Sequence, residues 1–89
     1  MKAIVTVIGK DTVGILAKVS TKCADCGVNV IEVTQSVLQD LFAMIMLVDM
    51  TKMNCSFSDF ADSMQETGKE IGQQVHVMHE DIFNSMHRI

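Results

Sequence analysis

Residues 3–19 read AIVTVIGKDTVGILAKV. The first part alternates, which predicts a strand over residues 2–9. Ala3, Val5 and Val7 take one face, and Ile4, Thr6 and Ile8 take the other. The apolar spacing then changes to that of a helix. The helix is expected to start near Thr12 or Val13, with Asp11 or Thr12 as the N-cap accepting from an orphan N–H. Ile15, Leu16, Val19, Cys23 and Cys26 make its apolar stripe, and Gly27 ends it in the left-handed conformation. Between strand and helix stands Gly9-Lys10-Asp11-Thr12-Val13-Gly14. Glycines there permit a tight turn and close approach of another chain or a small molecule. The helix N-terminus adds unpaired N–H groups suited to a carboxylate or phosphate. This junction is the candidate site of the chain.

Outward from it, residues 28–38 read as a second strand, with Ile31, Val33 and Val37 on one face and Glu32, Thr34 and Ser36 on the other. Gln39-Asp40 turns the chain into a third strand, Leu41 to Met50, a hairpin without the usual glycine. That strand is apolar on both faces, which marks it as central. A second helix is expected from Ser56 to Ile71. Ser56 is its N-cap, Asp59 imitates a capping box, and Phe57, Phe60, Ala61, Met64 and Ile71 recur at helical spacing. Gly72 is its C-cap. Residues 73–80 form a fourth strand. Ile82, Phe83, Met86 and Ile89 share one face of a short helical tail. The order β-α-β-β-α-β predicts an α+β, ferredoxin-like domain over residues 1–89. Four antiparallel strands carry two helices on one face, and the first and third strands lie at the centre.

Eighty-nine residues are 48% apolar, with mean hydropathy +0.28. So small a domain has little interior, and the excess points to burial against a second copy. The net charge of −4 argues against a nucleic-acid partner, which needs a basic stripe. No run of residues is long and apolar enough for a membrane span. The N-terminus lacks the pattern of a signal peptide. Three cysteines make no disulfide framework, which suggests a reducing, cytoplasmic setting.

At the junction, DTVGILAKV resembles the Asp-x-x-Gly-Ile-Leu/Val-x-x-Val signature of ACT domains. Val28-Asn29-Val30 resembles the Gly-x-Asn-Ile-like element of that family at the opening of strand two. The similarity covers essentially the whole chain. The ends, MKAIVTVIGKDTVGI and HEDIFNSMHRI, resemble small stand-alone bacterial ACT proteins related to the repressor of the glycine cleavage system. The resemblance implies a regulatory, homodimeric module that binds an amino acid or similar carboxylate, and not an enzyme. The ligand would lie at the interface, near the loop between strand one and helix one of one copy and the start of strand two. Carried over residue by residue, this names Gly9, Lys10, Asp11, Thr12, Val13, Gly14, Ile15, Asn29 and Ile31. Asp11 would meet an α-ammonium, and the Asn29 amide donates and accepts at once. The alternative is an assembly module that docks on a protein partner without a small ligand.

The remaining motifs have plainer readings. Cys23 and Cys26 form a CxxC at the end of helix one, both toward the core. They read as buried thiols rather than a metal or redox pair. His76 and His79 point to opposite faces of a strand and read as surface histidines, with His87 nearby in sequence. No metal or cofactor is expected. Met44, Met46 and Met50, with Met53 beyond, suggest an adaptable interface on the sheet face away from the helices, with core packing as the alternative. Lys10 lacks a converging base and nucleophile. An acylphosphatase-like site would need an arginine after strand one, and the only arginine is Arg88. RNA stacking would need more rings than Phe42 on the central strands.

Overall fold

In the computed structural model, residues 1–87 are described, except for the side chains of Phe83, Met86 and His87. The packing expected of Phe83, Met86 and Ile89 lies outside that description. The strands are β1 (Lys2–Lys10), β2 (Asn29–Leu38), β3 (Leu41–Asp49) and β4 (Gln73–His79), and the helices are α1 (Ile15–Asp25), α2 (Phe57–Glu70) and α3 (Glu80–His87). The sheet order is β2-β3-β1-β4, and all neighbours are antiparallel. This is the expected ferredoxin-like arrangement, with β1 and β3 at the centre.

The core is one cluster beneath α1 and α2. Ala3, Val5 and Val7 from β1 meet Phe42, Met44, Met46 and Val48 from β3. Ile15, Val19 and Cys23 from α1 close over them with Phe60 and Met64 from α2. The methionine expectation is therefore corrected. Met44, Met46 and Met50 are buried at 2% exposure or less, and Met53 packs against the same core. Register decides this: Met46 lies opposite Val5 and Met44 opposite Val7, so the even positions of β3 share the face that the helices cover. The other face carries Ile8, Ile45 and Leu41, all exposed.

Helix ends follow the local chemistry. The Asp59 N–H donates to Ser56 Oγ at 3.1 Å, the N-cap bond expected of α2. Helix α1 starts later than expected. Its N-cap is Gly14 at φ +88°, with no side-chain cap, so neither Asp11 nor Thr12 caps it. The turn past α1 is shaped by Gly27 at φ +73°, where a Cβ would stand 2.6 Å from the Lys52 carbonyl oxygen. The C-cap of α2 is Ile71, one residue earlier than expected, and Gly72 follows at φ +70°.

Two further differences shape the surface. Strand β2 has an irregularity between Val30 and Glu32, so Ile31 falls out of the face it was expected to share with Val33 and Val37. Glu80 belongs to α3 and not to β4. Helix α3 packs on β1 and β4. A cavity of about 260 Å³ lies between Glu80 and Asn84 of α3 and Ile4, Ile45 and Leu47 of the sheet. Helix α3 therefore lies on the sheet face opposite α1 and α2. It covers one end of that face, which explains why Ile4 is only 7% exposed although it points away from the core.

Candidate ligand site

The β1–α1 loop has a clamped base and a free tip. Gln73 Nε2, at the start of β4, donates to the Lys10 carbonyl at 2.6 Å. On the other side the Asp11 N–H donates to the Asp40 carbonyl at 2.8 Å, tying the loop to the β2–β3 turn. That turn holds Gln39 at φ +60°. Beyond these bonds Thr12 and Val13 stand exposed, with Val13 fully so. Gly14 then turns the chain into α1. A Cβ on Gly14 would meet nothing within 4 Å, so the glycine serves the backbone angle and leaves the space above the helix end open. With no side chain capping it, α1 presents its first-turn N–H groups there, at the positive end of the helix dipole. Ile15 is buried and anchors the first turn in the core.

Gln73 is the residue of this site that sequence reasoning missed. It is a polar residue at the start of β4, yet it is 5% exposed. Its Oε1 has no hydrogen-bond partner among the described residues, an uncommon state for a buried polar atom. Gly9 makes room for it, since a Cβ there would stand 2.5 Å from that oxygen. Gly9 is thus a packing position beneath the loop, and Lys10 offers its carbonyl to the clamp.

Asn29 and Ile31 lie elsewhere. Asn29 pairs with Asp49, and Asp49 with Lys2, whereas Leu38 pairs with Leu41, and Leu41 with Lys10. The two rows are eight residue steps apart along β1, roughly 26 Å of strand. Asn29 instead lines a cleft of about 420 Å³ with Gly27, Asp49, Thr51 and Lys52. Asp49 Oδ1 there accepts from the Thr51 N–H at 2.9 Å and the Thr51 hydroxyl at 2.6 Å, and the chain's N-terminal ammonium lies 3.9 Å away. The Thr51 bonds hold the Asp49 carboxyl below its usual range. One copy of the chain does not bring the two groups of expected site residues together.

The other motifs are placed plainly. Cys23 and Cys26 are buried, as read from the sequence. Burial, with Cys26 nearby, pushes the Cys23 thiol up to about 11. His76 faces away from the helices and is exposed. His79 packs beside Phe57, with ring centroids 6.3 Å apart. Among the described residues, no group of three or more His, Cys, Asp or Glu side chains is placed to hold a metal ion, and no helix is long and apolar enough to cross a membrane.

Comparison with known proteins decides the family. The family model described as ACT domain matches residues 2–78. The chain belongs to the ACT domain family. A UPF0237 protein of Clostridium acetobutylicum is 44% identical over 89 residues, covering 100% of both chains. Among solved structures, an ACT domain protein from Streptococcus pneumoniae matches with a TM-score of 0.82 and 34% identity over 93% of each chain. A putative glycine cleavage system transcriptional repressor shares the fold at a TM-score of 0.70 and 19% identity, over 85% of this chain and 43% of its own.

Proposed function

We propose that this ACT domain is a regulatory module that binds an amino acid or a similar small carboxylate, as a homodimer with the ligand between two copies. The carrying observation is the uncapped start of α1 behind the exposed tip of residues 12–13. Backbone N–H groups there suit a carboxylate, and the Asp11 carboxylate is at hand for an ammonium.

The distance between the loop and Asn29 supports a shared site. Strand β2 is an edge strand, and Val33, Val37 and Leu38 are exposed along it. Two copies that pair their β2 edges antiparallel about a two-fold axis set Asn29 of one beside Leu38 of the other. Leu38 lies on the row of Leu41 and Lys10. Each loop then faces the start of the other copy's β2, and each dimer holds two such sites.

Thermal unfolding against single amino acids tests the reading. Ligand at a hundred times its dissociation constant adds about 2.7 kcal/mol. The expected result is a raised midpoint with one or a few amino acids, lost in Gly14→Val while the variant still folds and dimerises. A raised midpoint that Gly14→Val leaves untouched would place the ligand elsewhere. No rise with any amino acid would favour the assembly reading.

A further inference from the structure

Cys23 and Cys26 share the end of α1 in the sequence, whereas Cys55 lies 29 positions beyond Cys26, just before α2. The fold adds Cys55 to them. The Asn54 N–H donates to the Cys26 carbonyl at 3.0 Å, and Asn54 Nδ2 donates to the Asp25 carbonyl at 2.9 Å. These two bonds hold residues 54–55 against the C-terminus of α1. Cys55 follows Asn54 directly, so these bonds bring it to the end of α1 that carries Cys26, and both residues pack on the same core. Cys26 is 8% exposed and Cys23 is fully buried. Cys55 is half-buried, packed on the core yet open to a small oxidant from solvent.

We propose that Cys26 and Cys55 are a reversible redox modification site, closed to an intramolecular disulfide by a hydroperoxide. The more accessible Cys55 reacts first. Its sulfur attacks one peroxide oxygen, the O–O bond breaks, and the other oxygen leaves as water or alcohol. Cys55 becomes a sulfenic acid. The Cys26 sulfur then attacks the Cys55 sulfur, the S–O bond breaks, and water leaves as the S–S bond forms. Two thiols lose two electrons, the hydroperoxide gains them, and both thiol protons end in the leaving molecules. Burial raises the Cys26 thiol above its ordinary range, with Cys55 adding to the effect, which lowers the fraction of Cys26 thiolate ready for the second step. Cys23 is the bystander, since it is fully buried and the backbone bond from the residue before Cys55 goes to Cys26.

The bond would pin the segment before α2 to the end of α1. That segment carries Thr51 and Lys52 of the cleft that also holds Asn29. The chemistry itself depends on thiol geometry and not on the ligand reading, so either can fail alone.

The test treats the reduced full chain with hydrogen peroxide and counts thiols before and after. Free thiols are expected to fall from three to one, with a mass loss of two hydrogens. Trypsin cleaves after Lys22 and Lys52 and so separates Cys55 from the other two. The expected product links those peptides, forms equally in Cys23→Ala, is absent in Cys55→Ser, and is reversed by dithiothreitol. Three surviving thiols, a bond that includes Cys23, a link between two chains, or direct passage to sulfinic acid would each overturn the proposal. Fragment spectra of the linked wild-type peptides, which place the bond at Cys26 or at Cys23, keep the test decisive even where a variant does not fold.

Discussion

Gly14 and Gly27 both hold positive φ, but their surroundings differ, and the difference is measurable. A side chain at Gly14 meets open space, whereas one at Gly27 meets the Lys52 carbonyl. Gly14→Ala should cost about 1 kcal/mol, the strain of left-handed backbone alone. Gly27→Ala should cost clearly more, because backbone must also move. Urea midpoints of the two variants check the order; equal losses would contradict it. The Cys23 thiol makes a second prediction at this scale. Its value rises from an ordinary 9.0 to about 11 on folding, so the folded state holds its proton longer. The stability it contributes is complete below pH 9.0 and is lost as pH climbs through about 11. Unfolding measured from pH 8 upward should show a steeper decline in wild type than in Cys23→Ala. Single residues were also where sequence reading stopped short. Gln73 and Cys55 carry no pattern of their own. The buried amide and the nearness of Cys55 to Cys26 exist only because β4 lies beside Gly9 and the loop before α2 lies beside the end of α1.

At the scale of elements, the order, type and approximate limits of strands and long helices were legible, because period two and period 3.6 separate cleanly along this chain. Ser56 was readable for a local reason, since a serine before an amphipathic run satisfies an orphan N–H. Ser56→Ala should cost about 1 kcal/mol, seen as a lower urea midpoint with unchanged helical circular dichroism in native buffer. The start of α1 was misjudged because Asp11 and Thr12 look like caps. Asp11 instead spends its N–H on the β2–β3 turn, and left-handed Gly14 does the turning. The burial of the β3 methionines was not legible either. With both faces apolar, only pairing to β1 selects the inner one. Near the end of β3, Asp49 gathers Thr51 and the N-terminus. Its lowered pKa means the stabilisation is present above the usual carboxylate value of 3.8 and fades as pH falls through the folded one. The stability gap between wild type and Asp49→Asn should therefore be widest near neutrality and close in acid.

For the molecule as a whole, the sheet face opposite α1 and α2 is half dressed. Helix α3 covers the end near Ile4, while Ile8, Leu41 and Ile45 stay exposed along with the β2 edge. The proposed two-fold pairing uses that edge. Val37→Lys sets a charge on it, a common device against edge pairing. Sedimentation should then show a shift toward monomer, accompanied by loss of any ligand-induced rise in melting midpoint. A variant that stays dimeric and binds as before would move the interface off β2. The candidate site was legible only in part. The loop announces itself through its glycines and its helix end, but the distance to Asn29 follows from strand direction, which no local pattern reveals.

Strand β4 runs back beside β1 so that Ala3 faces His79. The chain thus enters and leaves the sheet at one end, and the β1–α1 loop stands at the other. A tag, a reporter or a second copy spliced onto the start of the chain sits a full strand length from the loop tip. For the same reason the two ends of the sheet can be joined by a short linker and the chain reopened at Gln39–Asp40. Such a permuted chain would keep every pairing of the sheet, losing the hairpin that braces Asp11 and the cover that α3 gives beyond β4.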